Sequence, residues 1–544
     1  MLTGLNYTFF YAKAFQALKL RLSFIVLLFI LNTGWVLSQN SFLKVNRTEK
    51  VVGKNHWLNE EIKATVYTFP ERIHHCYIDT LKGYATVEMR GLTKNGKYLK
   101  NKGKVMVVDL LAGRTIWDQN INYMTSYLEQ YGRSLFKREG SKVFYLDIES
   151  GNRLWESKNS LYLVDPIDRI GLGYRTRLSG TASNDLEGID LSDGNMIWSR
   201  KVRQEFTWNE LHYTTDSTII LVASGLHDIN IFDGSGWSYH AATGEKNYKQ
   251  SLLKTLLGSA SMGYSARGTD PKSAWGVVSN LEGDSISYFL ASKEELVRIA
   301  NKDGSILWRY PLPEDLTSKS NIFLEDSVVY MVNLGYAYKG ISRIFYGKPF
   351  FAAFNREDGS LVHFNYLDVK KDAIQDAILS GDTLALVFDE RIVCFSKSDG
   401  KFLLEKEFSK EEVMGKLLGF LKNVPHIYKD SLLMPLIESE KANFYIISNE
   451  PEVIFLNENF EYSGEMPFDE LYLQYFWHPL IKLIRKDKKT YIVGQDHRIL
   501  AEIDTNRKGA FINETLFFIE EKEILLIELA GLFDNYMEEI LFNE

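Results

Sequence analysis

Cysteine is nearly absent. Cys76 and Cys394 are the only two in 544 residues, too few and too distant to form a disulfide scaffold. They read as buried thiols in strands. Proline is scarce as well, at 11, so no proline-rich linker marks a boundary between domains. Long apolar runs are lacking. The best candidate is Leu22–Leu31, which is short for a membrane span, and polar alternation elsewhere excludes internal spans. There is no basic excess either. Lys and Arg number 63 against 71 Asp and Glu, a net charge of −8, and such a surface disfavours nucleic acid, so none is expected as a partner. No Walker, zincin or EF-hand pattern occurs.

The N-terminal run has a recognisable setting. Lys13, Lys19 and Arg21 precede it, and Val36-Leu37-Ser38 follows. That is the layout of a secretory signal peptide over residues 1–38. The alternative is an uncleaved anchor. No cysteine follows the apolar run, which argues against bacterial lipidation. Removing 1–38 takes away three basic and no acidic side chains, leaving the remainder still more acidic.

What the chain does have is a repeat. Val105–Trp117 reads VMVVDLLAGRTIW, Val143–Trp155 reads VFYLDIESGNRLW, and Leu186–Trp198 reads LEGIDLSDGNMIW. The triplets Asp109/Gly113/Trp117, Asp147/Gly151/Trp155 and Asp190/Gly194/Trp198 keep one spacing. Fainter copies place Gly244 with Tyr248, Gly304 with Trp308, Gly359 with His363 and Gly400 with Leu404. A poor eighth copy spans Val453–Gly464. A fixed core with loops of variable length indicates stacked supersecondary units.

Each copy reads as a hairpin. Val105, Val107 and Asp109 alternate with Met106 and Val108, the period of a strand. The glycine closes a tight turn, and the preceding Asp, Ser or Thr suits it. The last residues open a second strand that ends in a large aromatic, placed to wedge against the neighbouring unit. The Asp-Gly aspartates Asp193, Asp303, Asp358 and Asp399 read as turn formers rather than catalytic acids.

The pattern V-x-x-x-D-x-x-x-G-x-x-x-W resembles the tryptophan-docking repeat of the pyrroloquinoline-quinone-like β-propellers, over roughly Cys76 to Leu529. That superfamily includes quinoprotein alcohol dehydrogenases and the propeller lipoprotein of outer-membrane protein assembly. The resemblance implies an all-β fold, a single propeller of seven or eight four-stranded blades, here favouring eight. Its expected extent is 71–530, after a lead-in at 39–70 that holds an outer strand closing the ring. Short helical decorations are expected at Ser409-Lys-Glu-Glu412, a capping box before Val413, Leu417, Leu418 and Leu421, and at the amphipathic C-terminus, 531–544.

Little chemistry is visible. Family enzymes hold their quinone beside a pair of adjacent cysteines, which this chain lacks, so no cofactor is expected. His74-His75-Cys76 invites a metal, but strand alternation lets only His74 and Cys76 converge, and two ligands do not make a zinc site. Gly171-Leu-Gly173 lacks the third glycine of a dinucleotide site. Gly263-Tyr-Ser265 fails as a nucleophile elbow because the next glycine, Gly268, falls one place late.

Two inserts stand out. Leu252–Trp275 is long, and Leu334–Pro349 gathers Tyr336, Tyr338, Arg343 and Tyr346. Exposed Tyr and Arg are favoured at interfaces, so those four form the candidate partner-binding loop. The expected protein is an exported, monomeric, non-enzymatic propeller, periplasmic, envelope-associated or secreted. Its expected partner is a protein or glycan of the cell envelope. Two alternatives remain open: a quinone-dependent oxidoreductase, and a carbohydrate-active hydrolase or lyase using channel carboxylates.

Overall fold

Alternating apolar runs cut by glycine turns fold here into meanders. The computed structural model describes residues 45–536 apart from 80–81, 133, 166–169, 178–181, 204–209, 242–275, 314–316, 340–341, 370–372, 414, 421–443, 451, 468–480, 487, 495–497, 506, 508, 513–514 and 534–535. Every regular element in it is a β-strand. Eight antiparallel sheets have four strands each. Blade 1 comprises Ile73–Asp79, Tyr84–Met89, Lys102–Asp109 and Arg114–Asn122. Blade 2 comprises Ser126–Tyr131, Ser134–Glu139, Lys142–Leu146 and Arg153–Ser157. Blade 3 comprises Asn159–Asp165, Ile170–Thr176, Ala182–Asp190 and Met196–Lys201. Blades 4 to 8 occupy 210–240, 282–311, 320–366, 376–407 and 417–467 in the same order. Together they form the β-propeller that the repeat implies.

The ninth sheet has eight strands and joins the two ends of the chain. Ile481–Lys486, Lys489–Gly494 and Ile499–Ile503 are completed by Asn46–Asn55, while Gly509–Ile512, Thr515–Ile519 and Glu523–Glu528 are completed by Glu60–Thr68. The two N-terminal strands also pair with each other. This sheet thus amounts to two further four-stranded units, beyond the eight that carry the copies of the repeat.

Packing runs from sheet to sheet. Val105, Trp117, Leu135 and Phe144 fill the gap between blades 1 and 2, and Tyr174, Trp198, Ile219 and Leu221 fill that between blades 3 and 4. Tyr67 and Leu526 of the eight-stranded sheet pack against Met106 and Val108 of blade 1. First strands of neighbouring blades approach one another, as in blades 5 and 6 and blades 7 and 8. They line the axis, and the fourth strands form the outer wall.

The helix expected after the capping box needs correction. The capping box at 409–412 does form: Ser409 N–H reaches Glu412 Oε2 at 2.8 Å and Glu412 N–H reaches Ser409 Oγ at 3.3 Å. It closes only a turn. Gly415 then takes a φ of 87° and the chain enters the strand Leu417–Phe420, so Leu417 and Leu418, which suggested a helix, are spent on a sheet. The C-terminal segment falls mostly outside the described residues, although Phe533 and Tyr536 are buried in the core of the eight-stranded sheet.

Candidate interaction site and the blade-docking ladder

The repeat residues build one contact, used over and over. Asp147 Oδ1 accepts Glu149 N–H at 3.0 Å, and its carbonyl accepts Gly151 N–H at 2.7 Å. Asp109 and Asp190 arrange the turns of blades 1 and 3 alike. Gly151 and Gly194 sit at φ of 70° and 76°, where L side chains are strained. Each glycine exposes a flat patch of backbone, and the tryptophan of the preceding blade lies on it. A Cβ added at Gly194 would stand 2.6 Å from the Trp155 ring.

The indole also donates. Trp117 Nε1 reaches Ile148 O at 2.8 Å, Trp155 reaches Leu191 O at 2.7 Å, and Trp198 reaches Ile231 O at 2.9 Å. Trp308 lies over Gly359 and donates to Arg356 O at 2.9 Å. The acceptor is always the residue after the one that begins the turn. At the next junction His363 Nε2 donates to Lys397 O at 3.0 Å.

Two rungs escaped the sequence reading. The copy placed at Gly244 and Tyr248 lies outside the described residues. Trp237 fills that rung instead: it lies over Gly304 and donates to Asn301 O at 3.0 Å, while Gly234, at φ 70°, receives Trp198. Gly234 and Trp237 are one residue closer than the usual spacing, and the register explains it. In blades 1–3 and 5–8 the fourth strand carries a β-bulge just before the docking position, as at Ile197, left over where Gly188 pairs with Trp198 and Ile189 with Met196. Blade 4 has no such shift. A bulge inserts one residue, so its omission and the shortened spacing cancel. The second missed rung is Tyr67, on Glu60–Thr68. Its hydroxyl donates to Leu110 O beside Gly113 of blade 1, which carries the ladder across the chain ends.

The loop residues divide. Tyr336–Lys339 and Ser342–Phe345 form a hairpin inserted between the second and third strands of blade 6. Tyr336 is buried, with the Arg343 guanidinium 3.6 Å from its ring centroid. Arg343 also donates to Gln375 Oε1 at 2.7 Å and to Ile374 O. These two face the fold and brace the hairpin. Tyr338 pairs through its backbone with Arg343. Tyr346 is half-buried beside Lys293, and its neighbour Phe345 is 67% exposed.

The brace continues sideways. Gln375 Nε2 donates to Asp389 Oδ1, and Lys416 Nζ reaches Asp389 Oδ2 at 2.6 Å. Burial pushes the Asp389 carboxyl up, but these partners outweigh it and hold it below its ordinary value. Lys416 leads to a cleft of about 600 Å³ between blades 7 and 8, with Phe408 and Val413 at its wall and Glu390, Lys410 and Glu450 at its rim. Hairpin, bridge and cleft all sit at connections between second and third strands or at entries to first strands. In a meander those lie at the end opposite the docking turns. The arrangement offers apolar anchors within a charged border. Among the described residues no group of three or more His, Cys, Asp or Glu could hold a metal ion.

The family model described as outer membrane protein assembly factor BamB matches residues 99–265 and, a second time, 255–424, together more than half of the chain. The chain belongs to this family. Every docking pair from Trp117 to Gly400 lies inside the matched stretch, whereas Tyr67 and the eight-stranded sheet lie outside it. Among solved structures the chain is similar to BamB from Moraxella catarrhalis, at 13% identity and a TM-score of 0.32, covering 66% of this chain and 91% of that one. It is similar to a europium-containing methanol dehydrogenase at 8% identity and 0.28, covering 64% and 81%. It is also similar to Sqt1 of Saccharomyces cerevisiae at 11% and 0.30, covering 78% and 100%. Comparison with curated proteins finds no match.

Proposed function

We propose that this member of the BamB family is an exported, non-catalytic scaffold that binds a partner protein of the cell envelope on the end of the propeller opposite the docking turns. The observation that carries the reading is the braced hairpin of blade 6. Arg343 ties it to Gln375 and stacks on Tyr336, so Phe345 is presented on a fixed support. A preorganised apolar anchor loses little entropy on binding. The cleft between blades 7 and 8 extends the same surface through Asp389 and Lys416. The family match supports an assembly role, and the missing adjacent cysteines weigh against a quinone enzyme.

A photo-reactive residue at position 345, followed by mass spectrometry, tests the surface in envelope preparations. One dominant cross-linked protein is expected, with capture lost in a Phe345→Ala/Tyr346→Ala variant. Unchanged capture by that variant rejects the surface. Saturable quinone binding with dye reduction rejects the non-catalytic reading. N-terminal sequencing of envelope or secreted protein is expected to begin near Gln39, and an intact Met1 rejects cleavage.

A further inference from the structure

The axis carries an asymmetry that blade packing does not require. The first strands of blades 1 to 4 bear Tyr77, Tyr127, Tyr131, Tyr162 and Tyr213, while the described first strands of blades 5 to 8 bear no tyrosine. Tyr127 is 47% exposed and Tyr162 36%. Large aromatic rings left open beside a channel forgo burial worth having, so they point to an occupant.

The setting of these rings is built. Arg138 holds Tyr127 from below, its guanidinium 5.4 Å from the ring centroid. The same guanidinium pairs with Glu129 Oε2 at 3.2 Å, donates to Ser160 Oγ at 2.6 Å, and reaches Leu161 O, next to Tyr162, at 3.1 Å. One side chain therefore fixes the first strands of blades 2 and 3 together. Its Nε is buried and has no hydrogen-bond partner among the described residues. Tyr162 is held edge-on by Tyr174 at 5.7 Å. Tyr127, Glu129 and Tyr131 share one face of the first strand of blade 2, and the Tyr77 hydroxyl of blade 1 donates to Leu128 O of that strand at 3.5 Å.

We propose that Tyr127 and Tyr162, framed by Tyr77, Tyr131 and the Glu129–Arg138 pair, form a binding platform for a neutral oligosaccharide. A pyranose ring has an apolar face and a polar edge. Exposed tyrosines match the face. A planar carboxylate–guanidinium pair matches vicinal hydroxyls at the edge, because it offers acceptors and donors in fixed directions. The charge balance selects against ionic ligands. Glu129 is compensated by Arg138, so the platform has no free charge of its own for an acidic or a basic peptide.

Calorimetry with cellohexaose, chitohexaose and maltohexaose tests the platform, with a proline-rich decapeptide as the competing occupant. Saturable binding of at least one hexasaccharide is expected. Tyr127→Ala and Tyr162→Ala should each weaken it by about tenfold, the worth of a lost aromatic contact, and Tyr127→Phe should keep most of it. Both positions are exposed, so unchanged melting of the alanine variants is the folding control. Binding of none of the three sugars overturns the proposal. So does binding indifferent to both alanine changes, or binding of the decapeptide instead. Cross-linking at position 345 is read separately, so loss of either site leaves the other standing.

Discussion

Trp155 offers the sharpest test of the ladder. Its indole is 9% exposed, lies on Gly194, meets Tyr145 at 5.3 Å between centroids, and donates to Leu191 O at 2.7 Å. Trp155→Ala removes the ring and leaves a cavity between blades 2 and 3, costing about 3–5 kcal/mol. Trp155→Phe keeps most of the bulk but strands the buried Leu191 carbonyl, costing about 1–3 kcal/mol. Gly194→Ala acts on the same contact from the other side. The added Cβ meets the ring at 2.6 Å and sits at φ 76°. The backbone share of that penalty, roughly 1–2 kcal/mol, persists in a Trp155→Ala background, while the steric share vanishes with the ring. The double mutant should therefore be clearly more stable than the two single losses added together. Urea unfolding followed by circular dichroism and by fluorescence measures the four variants against the wild type. Strict additivity, or an unchanged midpoint for Trp155→Ala, would refute the docking contact.

Tyr67→Phe should loosen the join at the chain ends by about 1 kcal/mol, and deleting residues 45–69 should bare two strand edges and cause aggregation, read by light scattering. Glu88 is 1% exposed, and burial raises its carboxyl to about 7, against the opposing effect of the Tyr123 phenol. Its folded value lies above the unfolded one, so its contribution is fully present below pH 4.5 and is lost as pH rises to 7. Glu88→Gln should gain up to about 3 kcal/mol on the wild type across that window, and parallel stability–pH curves would reject this. Cys394 is fully buried with its thiol pushed up to about 12, so Ellman's reagent should leave it unmodified in the native protein and reach it only in urea.

The blades were legible because one physical contact recurs. A turn glycine and an aromatic at constant spacing leave a period in the sequence, and a period can be read without knowing what lies beside it. The reading failed where the same contact was made by other means. Blade 4 drops its bulge and one residue together, so Gly234 and Trp237 break the spacing while preserving the geometry. The copy sought at Gly244 lies outside the described residues, and Trp237 fills its rung. Tyr67 reaches Leu110 with a hydroxyl rather than an indole, from a strand hundreds of residues away from the C-terminal strands it completes. In the poor eighth copy, Phe460, at a φ of 60°, occupies the turn that glycine holds elsewhere, and Gly464 pairs with Phe455 at the docking register.

The candidate loop shows a different limit. Clustered Tyr and Arg read as an interface whether they face a partner or each other, and Arg343 spends its guanidinium on Tyr336, Gln375 and Ile374. Pairing of that kind is a tertiary fact with no local signature. The first-strand tyrosines were visible all along as the alternation Tyr127, Glu129, Tyr131, but an exposed polar face looks the same beside a channel as beside bulk solvent. A binding surface is made once per molecule and has no period to betray it. In a chain whose repeats constrain every docking turn, departures from the repeat are therefore the informative positions. The hairpin inserted into blade 6 is one such departure, and the first-strand tyrosines, borne among the described residues by blades 1 to 4, are the other. Each breaks the equivalence of the blades, which stacking alone would preserve.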